Sequence, residues 1–86
     1  MKNGLIGERI VKLTVPAYEE LEITLTNGNT YRAHMGEFSR VYCYPRTPEA
    51  WAQAFIGEDR IDVQWPDGFA VHLDQIVPRS KFSQLA

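Results

Sequence analysis

Residues 60–74 (RIDVQWPDGFAVHLD) consist of two alternating runs of apolar and polar residues on either side of a turn. Side chains two positions apart in a strand share a face, so each run can bury one face. Pro66 fixes one turn dihedral, and Gly68 takes a positive φ without steric cost. The inward positions would be Ile61, Val63, Trp65, Phe69, Val71 and Leu73. The stretch therefore predicts a β-hairpin whose largest apolar side chains flank its turn.

A second stretch, residues 21–35 (LEITLTNGNTYRAHM), shows the same alternation around Asn27-Gly28. This dipeptide is a strong hairpin signal because both residues tolerate left-handed dihedrals. The inward positions would be Leu21, Ile23, Leu25, Tyr31, Ala33 and Met35. The two stretches align at an offset of forty residues, as two hairpins of any small sheet can. We therefore predict two hairpins and no duplication.

Residues 9–15 (RIVKLTV) predict one more strand, because they are rich in β-branched residues. Pro16 ends it, since proline cannot donate to a strand ladder. The inward positions would be Val11, Leu13 and Val15, with Lys12 and Thr14 in solvent.

Residues 47–57 (TPEAWAQAFIG) carry the signals of a helix. Thr47 is a good N-cap, Pro48 suits the first helical position, and Gly57 is placed for a left-handed C-cap. One apolar stripe would consist of Trp51, Ala54 and Phe55. A helix of this length is unstable alone in water, so we expect it to lie on the sheet.

These elements predict an α+β fold: one antiparallel sheet of about five strands, in the order β-β-β-α-β-β, with one helix packed on one face. We expect a single domain over residues 1–86, with a core at 9–77 and a mobile polar tail at 78–86. Residues 74–77 would form a short turn that tucks Ile76 or Val77 under the second hairpin. The polar face would carry Lys12, Glu22, Thr24, Arg32, Asp62, Gln64 and His72.

Charge and cysteine content limit the classes of function. Nine basic against eleven acidic residues give a net charge of −2, which makes direct nucleic-acid binding unlikely on charge grounds. Cys43 is the single cysteine, so an internal disulfide is excluded and a reducing cytoplasm is the expected location. No apolar run approaches the ~20 residues of a spanning helix, so no membrane association is expected.

The order of these pieces resembles the bacterial family catalogued as domain of unknown function 2442. Three motifs carry the resemblance: L-x-I-x-L-x-N-G at residues 21–28, V-Y-x-Y-x-R-T-P-E-A-W at 41–51 and I-x-V-x-W-P-D-G at 61–68. The resemblance covers roughly residues 9–77. It implies a small α+β protein with no catalytic residues and no cofactor. It also implies an occasional partner protein in a toxin–antitoxin-like arrangement.

The residues that could carry chemistry are few and scattered. His34 and His72 lie on different predicted hairpins, with no spacing typical of a metal site. Cys43 lies among aromatic and apolar neighbours, which favours a small buried hydrophobe over a nucleophile. We therefore predict no catalytic, cofactor or metal site.

The segment 38–46 (FSRVYCYPR) interleaves aromatic and basic residues. This composition is enriched at protein interfaces and in grooves for single-stranded nucleic acid. The structural alternative is a loop that covers one end of the core. The candidate interaction residues are Arg40, Tyr42, Tyr44 and Arg46, with Arg32 extending the patch from its strand.

The preferred function is therefore a non-enzymatic protein-interaction module, an antitoxin-like or regulatory partner of another protein such as the product of a neighbouring gene. The alternative is an accessory or inhibitor protein of nucleic-acid machinery, borne by a phage or mobile element. A homodimer through an edge strand, residues 9–15, is a further assembly to test. An enzyme that uses Cys43 or the histidines is the least favoured reading.

Overall fold

The computed structural model describes residues 7–82 of the chain. Residues 1–6 and residues 83–86, the end of the predicted tail, lie outside the described residues. The strands are β1 (Ile10–Thr14), β2 (Glu20–Leu25), β3 (Thr30–His34), β4 (Phe55–Ile56), β5 (Asp62–Gln64), β6 (Ala70–His72) and β7 (Ser80–Phe82). The short helices are α1 (Pro48–Trp51) and α2 (Leu73–Ile76), and 3₁₀ turns occupy Gly36–Phe38 and Val77–Arg79.

The strands form two antiparallel sheets, in the orders β1-β2-β3-β7 and β4-β5-β6. The predicted α+β class is confirmed, but the predicted single sheet of about five strands is not what forms. Two strands that the alternation pattern did not reveal account for the difference. β7 occupies the open edge of β3, and β4 occupies the open edge of β5. Each hairpin therefore belongs to its own sheet, because its open edge pairs with a neighbouring strand, β7 for β3 and β4 for β5.

Both predicted hairpins are present, and their turns are the same. Gly28 N donates to Leu25 O at 2.9 Å, and Gly68 N donates to Trp65 O at 3.0 Å. Gly28 and Gly68 have φ values of 89° and 105°. Each turn contains three residues with glycine last, the common three-residue hairpin connection, so the Asn27-Gly28 turn is one residue longer than a two-residue hairpin.

β1 differs from its predicted orientation. The register against β2 shifts between Ile10 and Lys12, where a bulge lies. As a result Ile10 is buried, while Val11, predicted to face inward, is 48% exposed. An extra residue in one strand reverses the alternation on one side of the bulge, and alternation alone cannot reveal such an insertion.

The predicted helix 47–57 is correct at its start and wrong at its end. The Thr47 hydroxyl accepts from Ala50 N at 3.1 Å, as expected of an N-cap. The helix stops at Trp51, and Phe55 enters β4, where it is 45% exposed rather than packed in an apolar stripe. Gly57 is not a left-handed cap, because its φ is not positive; the glycine instead leaves room for the Asp62 carboxylate. Tertiary pairing with β5 thus overrides the helical pattern.

The core lies between the two sheets and is rich in aromatic rings. Trp51 and Trp65 are both buried, with ring centroids 4.7 Å apart, so α1 packs against the second hairpin. Their indole N–H groups are satisfied: Trp65 Nε1 donates to Trp51 O at 2.8 Å, and Trp51 Nε1 donates to Glu20 O at 3.0 Å. The other buried apolar residues are Ile10, Leu21, Ile23, Leu25, Ala33, Met35, Tyr44, Val63, Phe69, Val71, Leu73 and Ile76.

The chain after the second hairpin is more ordered than predicted. Ile76 is fully buried on α2, which confirms the predicted tucked turn. Residues 77–79 form a 3₁₀ turn and residues 80–82 form β7 against β3, whereas the sequence placed a polar tail from residue 78. Arg79 binds this segment to the body of the fold, since its Nε lies 3.0 Å from Glu37 Oε2 and its guanidinium stacks on Phe38.

Candidate functional site

Residues 39–46, here called the aromatic loop, connect the 3₁₀ turn after β3 to helix α1. Successive backbone turns shape it. Val41 N donates to Phe38 O at 2.9 Å, and Tyr44 N donates to Val41 O at 3.0 Å. The second turn has Tyr42 and Cys43 at its centre, so it forms the tip of the loop.

Tyr44 attaches the loop to the core. It is 3% exposed, and its ring packs on Trp51 and Phe69 with centroid distances of 5.5 and 5.2 Å. Its hydroxyl donates to Glu19 Oε2 at 2.7 Å. Burial raises the pKa of the Tyr44 phenol well above its ordinary value, and the bond to the Glu19 carboxylate raises it further. Tyr44 therefore stays neutral and supports the loop from inside.

The Arg46 side chain connects the end of the loop to its beginning. Its Nη2 donates to Ser39 O at 2.7 Å and to Val41 O at 3.3 Å. The guanidinium also lies over the Tyr44 ring, 5.7 Å from the centroid. One side chain thus joins both ends of the aromatic loop and restricts its conformations.

Tyr42 projects from this braced loop into solvent. Its side chain is 98% exposed, the largest exposure among the large apolar residues described. Val41 is 40% exposed and Arg40 is exposed beside it. An aromatic ring held in water on a restricted backbone gains apolar burial when a partner covers it, and the loop loses little conformational freedom in the process.

Arg32 lies apart from this loop. It follows the alternation of β3, so it points away from the sheet face on which the neighbouring Ala33 is buried. Its guanidinium pairs with Glu20 Oε1 at 2.7 Å. Arg40, Tyr42, Tyr44 and Arg46 all lie in the aromatic loop, whereas Arg32 lies on β3 and pairs with Glu20.

The two histidines and the cysteine lie on three different elements of the fold. His34 ends β3, His72 ends β6 in the other sheet, and Cys43 lies in the aromatic loop, partly buried. Each imidazole Nδ1 accepts a backbone N–H two residues ahead, from Gly36 at 3.2 Å and from Asp74 at 3.0 Å. Both histidines therefore shape local turns. Among residues 7–82, no three His, Cys, Asp or Glu side chains are grouped to hold a metal ion.

A small cleft lies between α1 and the second hairpin turn. It has a volume of about 100 Å³ and is lined by Ala50, Gln53, Pro66 and Asp67. Ligand pockets usually measure about 300–1,000 Å³, so this cleft is too small for a typical substrate.

Sequence reasoning missed Glu19, the hydrogen-bond partner of Tyr44. Glu19 has a left-handed backbone, with φ of 67°, in the turn before β2. Its carbonyl accepts from Met35 N at 2.7 Å, which fixes its position. No local signal marks it, because a glutamate at a left-handed position is rare and its partner lies twenty-five residues away.

No helix within the described part of the chain is long and apolar enough to cross a bilayer. No family model matches this chain, and no curated protein or solved structure matches it significantly.

Proposed function

We propose that this chain is a non-enzymatic protein-interaction module, an antitoxin-like or regulatory partner that acts in the cytoplasm on a protein such as its gene neighbour's product. The observation that carries the proposal is the 98% exposure of Tyr42 at the tip of the aromatic loop. Tyrosines are enriched among the side chains that dominate binding energy at interfaces. The resemblance of its motifs to domain of unknown function 2442 would imply the same role.

The construction of the aromatic loop favours binding over mere coverage of the core. Coverage is the role of Tyr44, which is already buried and cannot add new contact area. Tyr42 makes no such contribution to the fold, yet its backbone is held by the turn from Val41 to Tyr44 and by Arg46. Preorganisation of this kind lowers the entropy lost on association. Tyr42 would be the anchor, with Arg40 and Arg46 around it.

The homodimer through β1 is less well supported by the geometry. β1 contains a bulge and an exposed Lys12, two features that discourage pairing between sheet edges. Ile10 N is also engaged, since it donates to Arg60 O at 2.7 Å. We therefore expect sedimentation to show a monomer. A dimer in wild type that is lost on the substitution Val11→Asp would instead support pairing through β1.

The proposal is tested by capture and calorimetry with wild type and Tyr42→Ala. Tagged wild type should recover one stoichiometric partner from the source cell, and the purified pair should bind in a calorimeter. Tyr42→Ala should weaken that binding by at least about ten-fold. Its fold should be unchanged, because the ring contributes almost no buried area.

Phe55→Ala is the matched control, since Phe55 is a partly exposed aromatic residue on β4, outside the loop. It should leave partner binding unchanged. Equal binding by wild type and Tyr42→Ala, or recovery of no partner by wild type, would contradict the proposal.

A further inference from the structure

We infer that the aromatic loop recognises an acidic protein surface, one with carboxylates around a recess that receives the Tyr42 ring. This inference rests on the proposed function and names the chemistry of the partner. Its evidence is the charge around the loop.

The loop contains basic residues and no carboxylate of its own. The sequence has no aspartate or glutamate between Glu37 and Glu49, but it has two arginines there, Arg40 and Arg46. The exposed Arg40 makes no hydrogen bond or ion pair within residues 7–82. Arg46 donates to backbone carbonyls, which carry no formal charge. Neither guanidinium therefore forms an ion pair with a carboxylate of residues 7–82.

Other arginines of the same chain are paired differently. Arg32 lies 2.7 Å from Glu20, and Arg79 lies 3.0 Å from Glu37. Glu37, the carboxylate that precedes the loop, is paired with Arg79, and Glu19 accepts from the Tyr44 hydroxyl. Arg9 and Arg60, like the loop arginines, form no ion pair among residues 7–82, but only in the loop do two such arginines flank the exposed Tyr42.

Arginine around an exposed tyrosine fits carboxylates well. The guanidinium plane presents paired N–H donors that match a carboxylate, and such bonds are stronger than neutral ones. Arg46 is held by two carbonyls and the Tyr44 ring, so its orientation is set before binding. Arg40 is two residues from Tyr42 and can reach the rim of the same recess.

A nucleic acid fits the loop less well than an acidic protein does. Single-stranded nucleic acid is bound by several stacked aromatic rings along a basic groove. The loop exposes one ring, because Tyr44 is buried, and the whole chain has a net charge of −2.

The test uses the full chain and two labelled polyanions, poly-L-glutamate and single-stranded oligothymidylate of similar charge, with fluorescence anisotropy at low and physiological salt. Wild type should bind poly-L-glutamate more tightly than oligothymidylate at low salt, and less tightly as salt rises. Arg40→Glu should weaken poly-L-glutamate binding by about ten-fold.

Lys12→Glu is the matched control, because Lys12 is exposed on β1 and the substitution changes the net charge equally. At physiological salt it should leave the affinity within about two-fold of wild type, since exposed charges more than about 8 Å apart are largely screened there. No binding by wild type, equal losses in both variants, or tighter binding of oligothymidylate would overturn the inference.

The two proposals fail separately. If capture through Tyr42 succeeds while poly-L-glutamate does not bind, only the acidic chemistry is wrong. If poly-L-glutamate binds through Arg40 but Tyr42→Ala keeps full affinity for the captured partner, the anchor role of Tyr42 is wrong.

Discussion

The two hairpins, β2–β3 and β5–β6, have the same turn but pack differently. In the first, Leu25 and Asn29 flank the turn, and Leu25 N donates to Asn29 O at 3.0 Å. In the second, Trp65 and Phe69 flank it, and Trp65 N donates to Phe69 O at 2.9 Å. The backbone connections are equivalent, so turn chemistry sets the chain reversal in both.

Both turns are exposed, and the side chains beside them make the difference. At the first turn Glu8 accepts from the Thr26 hydroxyl at 2.6 Å and from Asn27 N at 2.9 Å. Beside the second turn, Trp65 is buried against Trp51 and Phe69 against Tyr44. The comparison teaches that equivalent turns can adjoin very different amounts of buried apolar volume.

Removing that volume should have the largest effect. Trp65→Ala should lower the free energy of unfolding by about 3–5 kcal/mol, because it opens a cavity and removes the shorter of the two hydrogen bonds to the Trp51 carbonyl. Leu25→Ala, the equivalent change in the first hairpin, should cost at least about 1 kcal/mol less. Urea unfolding followed by circular dichroism measures both.

Trp65→Phe keeps the fold measurable if Trp65→Ala does not fold. It retains most of the ring volume and loses only the N–H bond, so we expect a loss of about 1–2 kcal/mol. If Leu25→Ala lowered the free energy of unfolding as much as Trp65→Ala does, the residues beside the two turns would contribute equally to the core.

Tyr44 links the two hairpins, because it packs on Phe69 and bonds Glu19 beside β2. Tyr44→Phe should cost about 2 kcal/mol at neutral pH, since it removes a hydrogen bond to a charged group. The pKa of Tyr44 is raised in the folded state, so the unfolded state loses its proton first. The neutral phenol therefore stabilises the fold below about pH 10, and this contribution falls as pH rises further.

Urea titrations of wild type and Tyr44→Phe from pH 7 to pH 11 measure this dependence. The difference between the two proteins should shrink above about pH 10. A difference that stays constant over this range would argue against the Tyr44–Glu19 bond.

Equivalent turns should respond equally. Gly28→Ala and Gly68→Ala should each cost about 1 kcal/mol, because both residues have positive φ and an added Cβ meets no neighbour within 4 Å. The two costs should agree within about 0.5 kcal/mol in thermal or urea unfolding. Asparagine at each position tolerates this backbone better and should cost less. A clear inequality would mean that the turns are not equivalent.

The smallest change in stability is expected just before each hairpin. Glu19 directly precedes β2, and Arg60 lies two residues before β5. Both have left-handed backbones, with φ of 67° and 61°. Arg60→Gly should stabilise the protein by about 0.5 kcal/mol, since glycine relieves the steric cost. Glu19→Gly should not stabilise it, because the bond to Tyr44 is lost. High-precision thermal unfolding compares the two, and stabilisation by Glu19→Gly would contradict the role given to its carboxylate.

Much of the fold could be predicted from local patterns. The inward residues of both hairpins, the Thr47 N-cap and the burial of Ile76 follow from alternation and capping chemistry. The end of α1 could not be predicted, because Phe55 and Ile56 pair with a strand that follows them in the chain. The bulge in β1 was hidden for a similar reason, since it depends on register against β2.

The candidate site was only partly predictable. Composition identified the segment around Tyr42, but Tyr42 and Tyr44 look alike in the sequence. Only packing against Trp51 and Phe69, together with the bond to Glu19, turns one tyrosine inward and leaves the other in water. Arg32 is exposed on β3 and pairs with Glu20, and its place in the patch stays a prediction.

By itself, the sequence determined the two hairpins, the positions of their turns and the apolar faces, because these depend on dihedral preferences and on spacing along a few residues. Tertiary structure alone decided the division into two sheets, the length of α1 and the separate fates of Tyr42 and Tyr44. Those features depend on which unpaired strand edges and apolar surfaces meet in space, and residues far apart in the chain contribute them together.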